Sequence, residues 1–198
     1  MSADVIEIHS NMWALMRERG KIVPGSHREG HNVFTTTGRN LLSTLVAWQT
    51  IGGNDTPYTN RRVRFMGVGI GSQLEVANVV SLANAAVADS KGNYILPISS
   101  PQTFPLSTSV LFVKEFGVNE ITIAGAPVAV TEAGLFADVN DADSGGFWKG
   151  DEDSAFGGGV ETTLNPASAT NPPVAYKAFE PLSKTVDFTL EIRWEFRF

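Results

Sequence analysis

Cysteine is absent from all 198 residues, which removes disulfides, zinc fingers, iron–sulfur clusters and cysteine nucleophiles at once. Histidine is scarce, with three residues, so a metal site or a general base has few places to sit. Charge is thin as well: 18% of residues are charged, against about a quarter in an average soluble domain. The balance is acidic, −6 at neutral pH, whereas proteins that grip nucleic acid by neutralising phosphates are basic. Nucleic acid is therefore not an expected partner. No stretch approaches the roughly twenty apolar residues of a membrane-spanning helix, and the opening MSADVIEIHS has neither the basic start nor the apolar run of a signal peptide. The expectation is a chain made in a cytoplasm, with no membrane partner. No fixed-period repeat is present, which argues against solenoids, propellers and fibre shafts.

What is present is alternation. From Val186 to Phe198, the apolar residues Val186, Phe188, Leu190, Ile192, Trp194, Phe196 and Phe198 alternate without a break with Asp187, Thr189, Glu191, Arg193, Glu195 and Arg197. Period two places every large side chain on one face of a strand that needs a sheet to bury it. Shorter strands are expected at Arg62–Val68, Ser109–Phe116, Glu120–Ala124, Val128–Phe136 and Pro173–Phe179. Gly117-Val118-Asn119 would join the second and third as a hairpin. Met12–Glu18 and Lys21–Val23 read as a hairpin turning at Gly20, in competition with an amphipathic helix over Val5–Arg17. A helix is expected over Arg39–Thr50, after Thr37 as N-cap and before the stop Gly52-Gly53. A second helical stretch is read over Glu75–Val87. With 42% hydrophobic residues, the chain is expected to be one mainly β domain over residues 1–198. The expected form is a jelly-roll-like β-sandwich with one or two short helices.

Between Asp138 and Pro173 the composition turns to Gly, Ser, Asp, Asn, Thr and Pro, and a long Gly/Asp/Pro-rich loop insertion is expected there. Phe147, Trp148 and Phe156 lie inside it, large apolar groups that suit docking onto a surface. Asp141, Asp143, Gly146 and Glu152 fall at positions one, three, six and twelve of a calcium-loop frame, but Gly145 stands where an oxygen ligand belongs. A solvated acidic loop is the reading, and Asp141, Asp143 and Glu152 are the calcium candidates it leaves. No bound cofactor is expected.

Other chemistry finds little support. His27 and His31 have the spacing of a helical metal pair, but Gly25, Ser26 and Gly30 point to a turn. Neither G-x-S-x-G nor H-E-x-x-H occurs. Gly67-Val68-Gly69-Ile70-Gly71 lacks the Lys-Ser/Thr of a phosphate loop and reads as a glycine-rich strand end. Arg61, Arg62 and Arg64 make the one dense basic cluster. On a strand, Arg62 and Arg64 would share the polar face while Val63 and Phe65 point to the core. The cluster reads either as a charged sheet edge or as a patch for an acidic neighbouring subunit.

Taken in order, four segments resemble a broad group of tailed-bacteriophage virion structural proteins. These are His31–Leu42 (HNVFTTTGRNLL), Phe65–Gly71 (FMGVGIG), Val130–Phe136 (VTEAGLF) and Lys184-Thr185 before the Trp194 strand. The resemblance covers most of the chain except the first dozen residues and the loop after Asp138. It implies structural roles only: Gly38 and Arg39 open a helix, Gly67 and Gly69 permit a tight strand crossing, and Glu132–Phe136 form a core strand. It implies a virion component, not an enzyme, whose partners are copies of itself and other virion proteins. An external capsid-decoration position is favoured over a tail, neck, baseplate or fibre-attachment one. Phe147, Trp148, Phe156, Arg61, Arg62 and Arg64 are the interface candidates. The rival is a carbohydrate-binding module with Phe147, Trp148 and Tyr58 as its platform.

Overall fold

The computed structural model describes residues 8–47, 62–90, 92, 94–98, 108–122, 125–138 and 172–198. Its strands are β1 His9–Glu18, β2 Lys21–Ile22, β3 Arg28–His31, β4 Val33–Phe34, β5 Arg62–Gly69, β6 Ile95–Pro97, β7 Ser109–Phe116, β8 Val128–Asp138, β9 Ala175–Lys184 and β10 Phe188–Arg197, with the helix α1 over Thr36–Ala47. They form two antiparallel sheets. The first runs β2-β1-β10-β7, with β3 also on β1, and the second runs β4-β9-β8-β5-β6. The chain is mainly β, as its alternation requires.

β10 sits between β1 and β7, with Trp194 opposite Met12 on one side and Phe112 on the other. Leu190, Ile192, Trp194 and Phe196 are buried, and the Trp194 indole donates to the Ser10 hydroxyl at 3.1 Å. The strand is shorter than the alternation implies. A turn occupies Val186-Asp187, leaving Val186 38% and Phe198 53% exposed. At the N-terminus the hairpin prevails over the helix. Met12, Ala14 and Met16 are buried at period two, and Arg19 and Gly20 take φ of 48° and 81°, the paired positive values that suit a two-residue turn. β2 and β3 line the same edge of β1, separated by an excursion. The buried Ser26 hydroxyl fills that gap, accepting from Met16 N–H at 3.1 Å and donating to the Val23 carbonyl at 2.7 Å.

In the second sheet, β9 carries extra residues between the pairs Ala178–Glu132 and Leu182–Val130. Pro181, which has no N–H to offer a ladder, falls inside this bulge. Arg28 of β3 donates to the carbonyls of Glu180 and Pro181 at 3.1 Å each, tying the first sheet to the second. The main hydrophobic cluster draws on both sheets: Met12, Met16, Phe112, Leu190 and Trp194 from the first meet Met66, Val68, Leu135, Ala175 and Leu182 from the second.

Four local expectations are corrected. The helix starts earlier, and its cap is Thr35 rather than Thr37: the Thr35 hydroxyl accepts from Gly38 N–H at 3.2 Å. Gly38 has to be glycine, because a Cβ there would run into the Val174 carbonyl and the Phe34 ring. Glu75–Val87 is not helical. Val79, Leu82 and Ala86 imitate helical spacing, but the backbone of this segment bonds to its neighbours instead, Ile70 N–H to Asn84 O and Ala86 N–H to Val68 O. Of the strand expected over Glu120–Ala124, Glu120–Thr122 is not strand, with a bend at Glu120-Ile121 after the turn at Val118-Asn119, and Ile123 and Ala124 lie outside the described residues. Ile121 holds φ 72°, which no strand accommodates, and its N–H bonds to the Ala88 carbonyl. Finally, Val63 and Phe65 do not share a face. A register shift falls between them, and Phe65 packs in a separate cluster with Val79, Leu82, Ile95, Phe136 and Tyr176.

Candidate functional site

The densest polar construction lies on the Phe65 face of the second sheet, where residues 70–88 cross as an irregular strap. Glycines make the crossing close. A Cβ on Gly69 would strike the Glu132 carboxylate and the Asn84 carbonyl, and one on Gly67 would meet Ile95 at 2.6 Å. The tight-approach reading therefore holds at Gly69 for the strap crossing β5, and at Gly67 for the Ile95 side chain of the neighbouring strand β6.

Glu132 of β8 is fully buried beneath this strap. Its carboxylate accepts from Ala83 N–H at 3.0 Å, from Asn84 N–H at 2.8 Å and from the Tyr176 hydroxyl at 2.9 Å. Burial pushes the Tyr176 pKa well above its ordinary value; the adjacent Glu132 carboxylate raises it further, and Gln73 works against both. Further ties surround this one. Thr131 donates to the Gly71 carbonyl, Gln73 to Ser81 O at 2.6 Å, and Glu75 receives Lys177 Nζ at 2.9 Å and Ala178 N–H at 3.2 Å. Three donors of the chain itself converge on the Glu132 oxygens. The cluster is built to fasten a strap to a sheet.

A second buried ionisable group is Lys184, at the end of β9 and with no exposed surface. Its ammonium donates to the carbonyls of Val118 at 3.3 Å and Thr185 at 3.1 Å, while Glu120 caps the turn by accepting from Gly117 N–H at 2.8 Å. Burial lowers the Lys184 pKa from 10.5 to about 8, against a smaller upward pull from Glu120. Between those values the unfolded chain holds a proton that the folded chain has released, so stability rises with pH. Below about pH 8 the penalty is present in full; above 10.5 it is gone. Tyr176 acts in the opposite sense once the unfolded phenol ionises near pH 10. The expected result is a thermal midpoint that climbs from about pH 8 to 10 in the natural chain and climbs measurably less in Lys184→Met. Parallel pH profiles for the two proteins would remove Lys184 as the cause.

The third feature is an open depression of about 380 Å³ on the outward face of the first sheet, lined by Trp13, Leu15, Arg17, His27, Leu111, Arg193 and Glu195. Apart from His27, in the loop before β3, these residues alternate with the buried stripes of β1, β7 and β10.

Most residues singled out in the sequence fall elsewhere. Asp141, Asp143, Phe147, Trp148, Glu152, Phe156, Tyr58 and Arg61 lie outside the described residues. Arg62 and Arg64 lie on β5, which is paired to β8 on one side and to β6 over Phe65–Gly67 on the other. The strand is thus an edge only at its Arg62 end, among the described residues. His27 and His31 are exposed; His27 lies in a loop, as the turn-forming neighbours suggested, whereas His31 lies on the strand β3. No group of three or more acidic or histidine side chains that could hold a metal occurs among the described residues, nor does any helix there have the length and apolarity to cross a membrane. Reading the sequence placed Glu132 and Lys184 only within segments of the resemblance, with no buried polar role, and did not single out Trp13. For Glu132 a signal existed: a lone acid in the apolar run Val128–Phe136, two residues from Gly134. No family model, curated protein or solved structure matches the chain.

Proposed function

We propose that this chain is a non-enzymatic structural component of a tailed-phage particle, a jelly-roll-like β-sandwich that assembles through repeated contacts with copies of itself and with other virion proteins. The position favoured is external, as a capsid-decorating or stabilising subunit. The observation that supports this reading best is how the motif residues behind the resemblance are employed. Gly38 makes room at a helix start, Gly67 for the Ile95 side chain of β6 and Gly69 for the strap, and Glu132 binds that strap. Each is consumed in holding the framework, and the framework presents broad sheet surface. The acidic balance, −6, suits an outer surface away from packaged DNA.

The test is location. Particles from the phage that encodes this chain would be dissociated stepwise into heads and tails, and each fraction probed for the chain by mass spectrometry. Recovery with intact heads in many copies, and release without loss of the packaged DNA, is the expected outcome. Recovery with tails would move the subunit to the neck, tail or baseplate, and absence from all particle fractions would overturn the reading.

A further inference from the structure

The outward face of the first sheet carries a charge pattern that complements itself. On β10 the side chains opposite in direction to Leu190, Ile192, Trp194 and Phe196 are Glu191, Arg193, Glu195 and Arg197, alternating in sign along the strand. Arg193 bonds Glu191 at 2.8 Å and Arg197 bonds Glu195 at 2.8 Å, with Arg17 of β1 3.7 Å from Glu191. The two arginines remain 46% and 54% exposed, while the two glutamate side chains are only 11% and 8% exposed. The guanidinium groups therefore stand above the carboxylates and still offer donors outward. Beside this row lie half-buried apolar side chains, Trp13 and Leu15 on β1 and Leu111 and Val113 on β7.

We propose that this face binds a second copy of the chain, sheet against sheet, about a two-fold axis lying in the interface at right angles to β10 and level with Trp194. The inference deepens the reading of a self-assembling subunit, on which it rests, by naming the surface and the symmetry. Such an axis lays β10 antiparallel over its own copy. Glu191 then meets Arg197 of the second copy, and Arg193 meets Glu195, so that every opposed pair has opposite sign. Met12 and Phe112 stand level with Trp194. The same axis therefore places Leu111 over Val113 of the copy and Trp13 over Asn11. The other simple two-fold, parallel to the strands, would stack Arg193 on Arg193, and like charges held together cost free energy.

The size is adequate. Ten residues each on β1 and β10, eight on β7 and six on β2 and β3 together, at about 3.4 Å by 4.8 Å apiece, give a plan area of roughly 550 Å², and a specific interface needs at least about 500 Å² per partner. Aligned sheets pack with a rotation near 30°. Register is thus best kept close to the axis, where Arg193 and Glu195 lie.

The experiment uses the full chain in sedimentation velocity over a concentration series. The natural protein is expected to dimerise. Arg193→Glu and Glu195→Arg, each alone, set like charges against each other in the homodimer and are expected to weaken association at least 30-fold. Mixed together, the two variants restore both contacts in a heterodimer. Position 193, acidic in Arg193→Glu, then faces position 195, basic in Glu195→Arg, and the natural pair meets on the other side of the axis. The mixture therefore regains most of the lost affinity. Circular dichroism melts check that both variants are folded; should either be unfolded, Arg193→Gln and Glu195→Gln carry the same comparison without reversal. A natural chain that stays monomeric overturns the inference, and so do variants that dimerise as well as it does, or a mixture no tighter than its components. A monomer that binds glycans through Trp13 overturns it as well. Particle incorporation is scored separately. A dimer missing from particles keeps this interface and removes the virion reading, whereas a monomer found in particles does the reverse.

Discussion

Removing residues 185–198 is expected to leave an unfolded or insoluble chain. The deletion takes out β10, which pairs along its length with β1 and over eight residues with β7. Without it, the first sheet falls into two unconnected pieces, each with a new open edge. Leu190, Ile192, Trp194 and Phe196 are 0–4% exposed. Burying each is worth roughly 1.5–3 kcal/mol, so the side chains alone amount to about 6–12 kcal/mol, comparable with the whole 5–15 kcal/mol stability of a typical domain. Phe112, Met12 and Met16 would lose the surface they pack on, and Ser10 would lose its bond from the Trp194 indole. The same alternating sequence could belong to an exchanged arm buried in a neighbouring subunit. The intrachain ladder on both sides of β10 favours the core role. Far-UV circular dichroism and solubility decide it: a soluble, folded, monomeric truncation would make β10 an assembly arm.

β10 was legible because its signal is local and redundant: each of its apolar positions repeats the same period, and one sheet face satisfies them all. The hairpin at Gly20 was legible for a similar reason, once period two at Met12, Ala14 and Met16 is set against period 3.6. The strap over residues 70–88 was not. Its burial is irregular, with Val79, Leu82, Ala86 and Ala88 inside and Leu74, Val76 and Val80 outside, and its backbone is satisfied by groups far away in sequence. Local reading defaults to a helix when alanine and asparagine abound at suggestive spacing, and only the partners on β5 and β8 reveal otherwise. The bend at Glu120 failed in the same way, since its conformation depends on Ala88 and Lys184. Of the candidate site, the glycines were visible as a tight approach. What approaches them, a buried carboxylate and a strap, was not. The outward face of the first sheet was hidden by its regularity: Trp13 and Arg193 occupy the polar phase of strands whose other phase drew notice first.

Glu132→Ala is expected to release the strap and to cost about 3–5 kcal/mol, because it leaves several buried donors without an acceptor. Two backbone N–H groups, of Ala83 and Asn84, and the Tyr176 hydroxyl would lose their acceptor together, and each buried donor left unsatisfied costs about 1–3 kcal/mol. For a chain of this size the thermal midpoint should drop by roughly 6–20 °C. Tyr176→Phe removes one donor and leaves the carboxylate its two amides, so about 1.5–3 kcal/mol is expected. The double variant should cost less than the sum of the two, because the Glu132–Tyr176 bond can be lost only once. Additive losses would instead mean that the Glu132–Tyr176 bond contributes nothing. Hydrogen exchange localises the effect. In Glu132→Ala the amides of Ala83 and Asn84 should lose protection while those of β10, on the other sheet, keep theirs. Should the two strap amides stay protected in Glu132→Ala, the fastening must lie with Thr131, Gln73 and Glu75, and Glu132 would be reduced to one tie among several.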